Sequence, residues 1–138
     1  MKTRFFILLM FFSVGIGAFA QNLVSNGSFE AYEDCPIKCL MKKKFVTNWF
    51  SPTWGTPDYF NRCSRHKADV PENFAGKEEA VDGDGYAGFI PVGLQYFFRA
   101  KASNIGHSRE YISTKLTQKL TKDSLYCISF FISQGDYS

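Results

Sequence analysis

The clearest alternation of apolar and polar positions lies near the end of the chain, in residues 126–133. Apolar side chains occur at every second position, at Tyr126, Ile128, Phe130 and Ile132. Small or polar side chains fall between them, at Cys127, Ser129 and Ser133. Successive side chains of a strand point to opposite faces. The pattern therefore predicts a strand with one buried face.

Shorter apolar runs precede this segment, and turn residues separate them. They predict strands near 23–32, broken by a turn at Asn26-Gly27, and near 45–50, 58–61, 86–90, 94–98 and 113–120. Loops are expected at 33–44, 51–57, 64–79 and 99–108, and a plain turn at 82–85. Many short strands between turns predict an all-β sandwich or jelly roll. A jelly roll has about eight strands, so five or six indicate a smaller fold or the front part of a longer one.

The first twenty residues have a different pattern. Lys2 and Arg4 give a basic start, residues 5–17 are mainly apolar, and Ala18-Phe19-Ala20 has the small-x-small form of a cleavage site. The apolar run is shorter than the ~20 residues of a membrane-spanning helix. We predict a signal peptide over residues 1–20 and one exported domain over residues 21–138. The alternative is an uncleaved anchor.

Removing the leader changes the charge balance. The full chain carries a net charge of +3, and the loss of Lys2 and Arg4 leaves +1 in residues 21–138. Nearly balanced charge gives no electrostatic basis for binding nucleic acid. The basic run Lys42-Lys43-Lys44 is read as a solvated turn. No later run is apolar enough to cross a bilayer.

All the cysteines fall in the exported part, at Cys35, Cys39, Cys63 and Cys127. An even count in an oxidising compartment predicts disulfides, and four cysteines allow three pairings. Zinc binding is disfavoured, because no C-x2-C pair is present and His66 and His107 stand apart.

Several motifs resemble known domains. The segment NLVSNGSFE at 22–30 resembles the N-terminal signature of galactose-binding-like jelly rolls, which include many carbohydrate-binding modules. The segments LTQKL at 116–120 and YCISF at 126–130 are similar to a strand pair of those domains. Motifs between Trp49 and Ile112 resemble an uncharacterised family of Gram-negative envelope proteins. Many of its members continue into OmpA-like or C-terminal sorting domains.

The resemblance, which covers nearly all of residues 22–134, carries further expectations. It implies a disulfide between Cys35 and Cys63, the cysteines that bracket the Trp–Pro–Asp–Tyr segment of that family. It also implies a structural calcium ion, since Glu30 matches an acidic residue that helps hold calcium in such modules. The alternative for Glu30 is a surface or capping carboxylate. Pairing of Cys39 with Cys127 stays open.

A sugar-binding surface is the main candidate site. Trp54 lies between Pro52 and Gly55, where no strand pattern demands a buried ring. Its ring, with Tyr59, would stack on a sugar, while Asp58 and Asn61 would bond hydroxyl groups. Trp49 ends an apolar run and is the better core candidate. The alternative is that residues 56–63 are purely structural.

Catalytic signatures are missing from the sequence. It has no G-x-S-x-G, H-E-x-x-H or Ser–His–Asp pattern, and we expect no enzyme activity. The leading hypothesis is an exported binding module for a glycan or an envelope protein. Its location would be the periplasm, the outer-membrane surface or the medium. A structural or adhesive surface segment without a ligand is the second hypothesis, and a glycoside-processing enzyme is the third.

Overall fold

A computed structural model describes residues 21–41, 45–65, 67–91 and 109–136. The predicted signal peptide, the lysine run at 42–44, His66, His107 and the apolar run at 94–98 lie outside these ranges. Within them, no helix is long and apolar enough to cross a membrane.

The described residues form short antiparallel strands and no helix. The strands are β1 (Trp49–Phe50), β2 (Asp58–Asn61), β3 (Glu72–Asn73), β4 (Gly76–Lys77), β5 (Gly85–Gly88) and β6 (Ser113–Thr114). They pair as β1 with β6, β2 with β5, and β3 with β4. The all-β prediction is confirmed, and the jelly-roll arrangement stays a prediction.

The β2–β5 ribbon is the centre of the fold. Its register sets Asp58 opposite Gly88 and Asn61 opposite Gly85. Leu40 extends the ribbon through an isolated bridge to Asp58. The backbone NH of Met41 also donates a 2.7 Å hydrogen bond to the carbonyl of Pro57.

Two apolar clusters lie on opposite faces of β2. Tyr59 packs in one cluster with Met41, Phe45 and Val46. Phe60 packs in the other with Ala68 and Val70. Adjacent residues of a strand point to opposite faces. The neighbouring aromatic side chains Tyr59 and Phe60 are both buried, so β2 is covered on both faces. The strand predicted at 58–61 is confirmed.

A second connection ties the N-terminal segment to the rest of the fold. The predicted turn at Asn26-Gly27 is present, and Asn26 adopts the left-handed region at φ 55°. Asn tolerates this conformation better than most residues. The Asn26 amide donates to the carbonyls of Ala31 (2.9 Å) and Thr47 (2.8 Å). Val24 bridges to Leu116, just beyond β6.

The segment predicted as loop at 64–79 contains the small β3–β4 hairpin. Asn73 shapes the turn, since its Oδ1 accepts a 3.0 Å hydrogen bond from the NH of Ala75. Its amide also donates to the Tyr86 hydroxyl at 2.6 Å. Two-residue strands of polar composition carry almost no period-two signal, so the pattern alone missed this hairpin.

The disulfide between Cys35 and Cys63 is confirmed, with a sequence separation of 28 and a Cα–Cα distance of 5.8 Å. Cys39 and Cys127 are free thiols. Cys39 packs beside the second apolar cluster, whereas Cys127 is exposed.

The strand predicted at 126–133 is wrong for this structure. Residues 126–133 belong to no strand, and the side chains expected in a buried face are exposed. A strand is stable only beside a partner that satisfies its backbone groups. No described element pairs with this segment, so the alternating pattern has no surface to bury against.

Candidate functional site

Trp54 is fully exposed on the loop of residues 51–57, named here the Trp54 loop. The hydroxyl of Ser51 lies 3.0 Å from the carbonyl oxygens of both Thr53 and Gly55. The NH of Gly55 donates to the hydroxyl of Thr53 at 3.2 Å. These side-chain to backbone bonds are the usual means by which Ser and Thr fix irregular turns. The loop thus holds a large apolar ring in water on a braced backbone.

Glu110 anchors the base of this loop. Its Oε1 accepts hydrogen bonds from the NH (3.2 Å) and hydroxyl (3.1 Å) of Thr56. Its Oε2 accepts a 2.8 Å bond from the NH of Ile90. One carboxylate therefore joins the Trp54 loop to the chain beyond β5, because an ionised carboxylate can accept at both oxygens.

Gly55 allows the backbone of the Trp54 loop to lie close to the backbone of Arg109 and Glu110. A Cβ at this position would lie 3.0 Å from the Arg109 carbonyl oxygen and 3.1 Å from the Glu110 Cα. Both neighbours are backbone atoms that cannot turn away. A side chain at position 55 would push the loop off the 109–110 segment.

Asp58 follows the loop directly and is half-buried at the start of β2. Burial, and to a smaller extent the neighbouring Glu110 carboxylate, raise the pKa of its carboxyl to about 7. At neutral pH this group exists in both protonation states. It can therefore donate or accept a hydrogen bond, as binding of a hydroxyl-bearing ligand requires.

Two of the predicted sugar-binding residues lie in the interior and cannot play that part here. Tyr59 has no exposed surface, and its hydroxyl donates to the Phe29 carbonyl at 2.8 Å. Asn61 is also buried; its amide donates to the Tyr59 hydroxyl, and its Oδ1 accepts from the Cys63 NH. Both lie on a strand that is buried on both faces, so Trp54 and the half-buried Asp58 are the predicted residues that keep exposed surface.

The predicted difference between the two tryptophans is visible in their surroundings. Trp49 packs against the first cluster, and its ring lies 4.7 Å from that of Phe29. Trp54 has no such packing and is fully exposed. Trp54 is therefore the tryptophan that is available to a ligand.

Glu30 occupies the position of a capping carboxylate. Its Oε1 accepts hydrogen bonds from the NH groups of Asp84 (2.9 Å) and Gly85 (2.8 Å). Gly83 makes this possible, since it has φ +72°, and a Cβ there would lie 2.3 Å from the Glu30 carboxyl carbon. In the described ranges, no three His, Cys, Asp or Glu side chains form a group that could hold a metal ion. A calcium ion at Glu30 stays a prediction.

The role of Glu110 could not be found from the sequence. Its partner Thr56 lies 54 residues away, and no motif links the two positions. The carboxylate of Glu110 accepts hydrogen bonds from Thr56 and from the NH of Ile90. No protein-family model, curated protein or solved structure matches the chain.

Proposed function

We propose that this chain is an exported binding module whose ligand is a glycan and whose central contact is Trp54. The observation that carries the proposal is the fully exposed indole on a loop braced from within by Ser51 and from below by Glu110. Large apolar side chains are costly to leave in water. An exposed tryptophan on a loop with a hydrogen-bonded backbone is therefore a candidate contact residue.

A loop backbone that is already fixed favours binding, because less backbone entropy is lost when a ligand binds. Ordering a flexible side chain or loop costs roughly 0.5–1.5 kcal/mol for each immobilised side chain. The bonds from Ser51 and Glu110 meet part of this cost before a ligand arrives. The flat face of the indole suits the C–H face of a sugar ring, an apolar surface with hydroxyl groups around its edge.

The polar groups next to the loop fit the same class of ligand. Asp58 begins the strand that follows the loop, and its carboxyl can donate or accept near neutral pH. The hydroxyl groups of a glycan can both donate and accept hydrogen bonds. Ligand sites combine an aromatic surface with a few polar groups in this way. The resemblance of residues 22–30 to carbohydrate-binding jelly rolls supports the same choice.

A glycoside-processing role is less well supported by the carboxylates. Hydrolysis needs one carboxyl as acid and a second that is free to act as base or nucleophile. Both oxygens of Glu110 already accept hydrogen bonds from Thr56 and Ile90. Glu110 is therefore a positioning residue, and we keep the proposal of a non-enzymatic module.

A glycan array with the purified chain tests the proposal, followed by calorimetry on any sugar that binds. Trp54→Ala should weaken binding by about tenfold or more, as loss of an anchor side chain does. Trp54→Phe should retain part of it, because a flat ring remains. Val81→Ala is the matched control, since Val81 is also an exposed apolar residue but lies outside the loop.

Two results would contradict the proposal. One is a glycan that binds Trp54→Ala as well as it binds the unchanged chain. The other is an array without any bound sugar, both with calcium and with a chelator. The second result would favour the structural or adhesive segment that has no ligand of its own.

A further inference from the structure

We infer that residues 125–133 form a self-association strand, through which two copies of this chain pair antiparallel. The inference does not depend on the glycan proposal, because it concerns a different segment. Residues 126–133 were predicted to be a strand but belong to no strand in the structure. The segment has the composition of a buried strand, yet its large apolar side chains lie in water.

The exposed area is large enough for a stable interface. Five side chains are between 75% and 102% exposed: Leu125, Ile128, Phe130, Phe131 and Ile132. Ile128, Phe130 and Ile132 share one face of the proposed strand, and at roughly 150 Å² for each large side chain they present on the order of 450 Å² per copy. That area is in the range of the largest apolar patch on a typical monomer, about 300–600 Å², and such patches are often functional. Leu125 and Phe131 add apolar surface on the other face. A standard interface covers about 800 Å² on each partner.

The segment is held to the folded body at its C-terminal end. The carboxylate of Asp136 accepts a 2.8 Å bond from the NH of Lys77 on β4. At the other end the contact is local, because the NH of Thr121 donates to the hydroxyl of Tyr126 at 2.7 Å. The anchor at Asp136 reduces the ordering cost of pairing.

The backbone and the charge pattern favour a second copy as the partner. Residues 126–133 pair with no described strand, so their NH and carbonyl groups are open to strand addition. Residues 124–135 carry no charge, so two copies meet without repulsion. Charges begin only outside, with Lys122 and Asp123 on one side and Asp136 on the other. Antiparallel pairing brings Lys122 of one copy toward Asp136 of the other copy.

Sedimentation of the purified chain over a range of concentrations tests the inference. The unchanged chain should be in a monomer–dimer equilibrium, and Phe130→Lys should weaken the dimer by about tenfold or more. Ile37→Lys is the matched control, since Ile37 is 72% exposed outside the segment. All variants carry Cys127→Ser, so that thiol oxidation does not imitate pairing. A chain that stays monomeric at every concentration, or an equal effect of Ile37→Lys, overturns the inference.

Backbone pairing is tested separately. Ser129→Pro leaves the apolar side chains in place but removes a donor from the ladder, and it should also weaken the dimer. At a concentration where the original chain is monomeric, thermal unfolding should be unchanged in Ser129→Pro and in Phe130→Lys, because neither residue is buried in the monomer. A Ser129→Pro chain that stays folded and dimerises normally overturns strand pairing.

Single cysteines placed at positions 126–132 report the orientation. In an antiparallel pair of identical strands, one position faces itself, so disulfide formation should peak there and fall away on both sides. Equal crosslinking at every position would indicate parallel, in-register stacking. That result, or association beyond the dimer, overturns the inference.

Discussion

The indole nitrogen of Trp49 donates a 2.8 Å hydrogen bond to the backbone carbonyl of Asn26, 23 residues earlier in the chain. The same ring packs on Phe29 and on the first apolar cluster. Trp49 thereby joins β1 to the N-terminal turn. Trp54, only five positions further on, is fully exposed.

Replacing the two tryptophans should give opposite results in unfolding experiments. Trp49→Ala should reduce the free energy of unfolding by about 3 kcal/mol, because it empties a packed aromatic site and leaves the Asn26 carbonyl without its donor. Trp54→Ala should change it by less than about 0.5 kcal/mol, as surface substitutions do. Urea unfolding followed by circular dichroism measures both. Equal stability losses in the two variants would contradict this assignment.

Loss of the disulfide should destabilise the chain through its unfolded state. The Cys35–Cys63 bond closes a loop with a sequence separation of 28. Chain-entropy arguments give a contribution of about 3 kcal/mol for such a loop. The double variant Cys35→Ser, Cys63→Ser should lose that amount in urea unfolding, while Cys127→Ser should lose almost nothing because Cys127 is exposed. Non-reducing peptide maps that join Cys35 to Cys39 would refute the pairing.

Glu30 should stabilise the turn at 82–85 whether or not calcium is present. Glu30→Ala removes the acceptor of two backbone NH groups and should reduce stability by about 2 kcal/mol. Glu30→Gln keeps an oxygen acceptor and should lose less. Thermal melts with calcium and with a chelator separate capping from metal binding. A loss that appears only with calcium present would favour the calcium prediction instead.

The stability of the fold should depend on pH through Asp58. Its pKa rises from the usual 3.8 to about 7 on folding, mainly through burial. Between these values the folded chain binds a proton that the unfolded chain has lost, so this contribution to stability falls as the pH rises from about 4 to about 7. Above that range it is fully lost.

Asp58→Asn isolates this contribution. The difference in melting temperature between Asp58→Asn and the unchanged chain should grow in favour of the variant as the pH rises from 4 to 8. Val81→Ala serves as the control, because it changes no titratable group and its difference should stay flat over this range. A difference that is flat between pH 4 and 8 would show that Asp58 does not titrate in this window.

Export predicts a defined N-terminus. The basic start, the apolar run and Ala18-Phe19-Ala20 predict cleavage after residue 20. Edman sequencing of the extracytoplasmic product should therefore begin at Gln21. A product in the membrane fraction that starts at Met1 would instead support the uncleaved anchor.

Particular residues show how far sequence reasoning reached. The aromatic pair Tyr59-Phe60 predicted the central strand, and the structure confirms it. The ring of Tyr59 was also assigned to a sugar-binding surface, although Tyr59 is buried. Composition reveals that a ring is large and apolar, but the neighbours that cover it come from elsewhere in the chain. The exposure of Trp54 followed from its Pro and Gly neighbours, which are a local signal.

Local chemistry by itself determined the all-β character, the turns at Asn26-Gly27 and at 82–85, and the contrast between Trp49 and Trp54. These depend on residues adjacent in sequence, whose preferences act at short range. Only the tertiary structure decided that Glu110 braces the Trp54 loop, that Glu30 caps a turn 54 residues away, and that residues 125–133 pair with no strand in the described part of the chain. Such contacts form where distant segments meet, and each depends on packing geometry that no local pattern encodes.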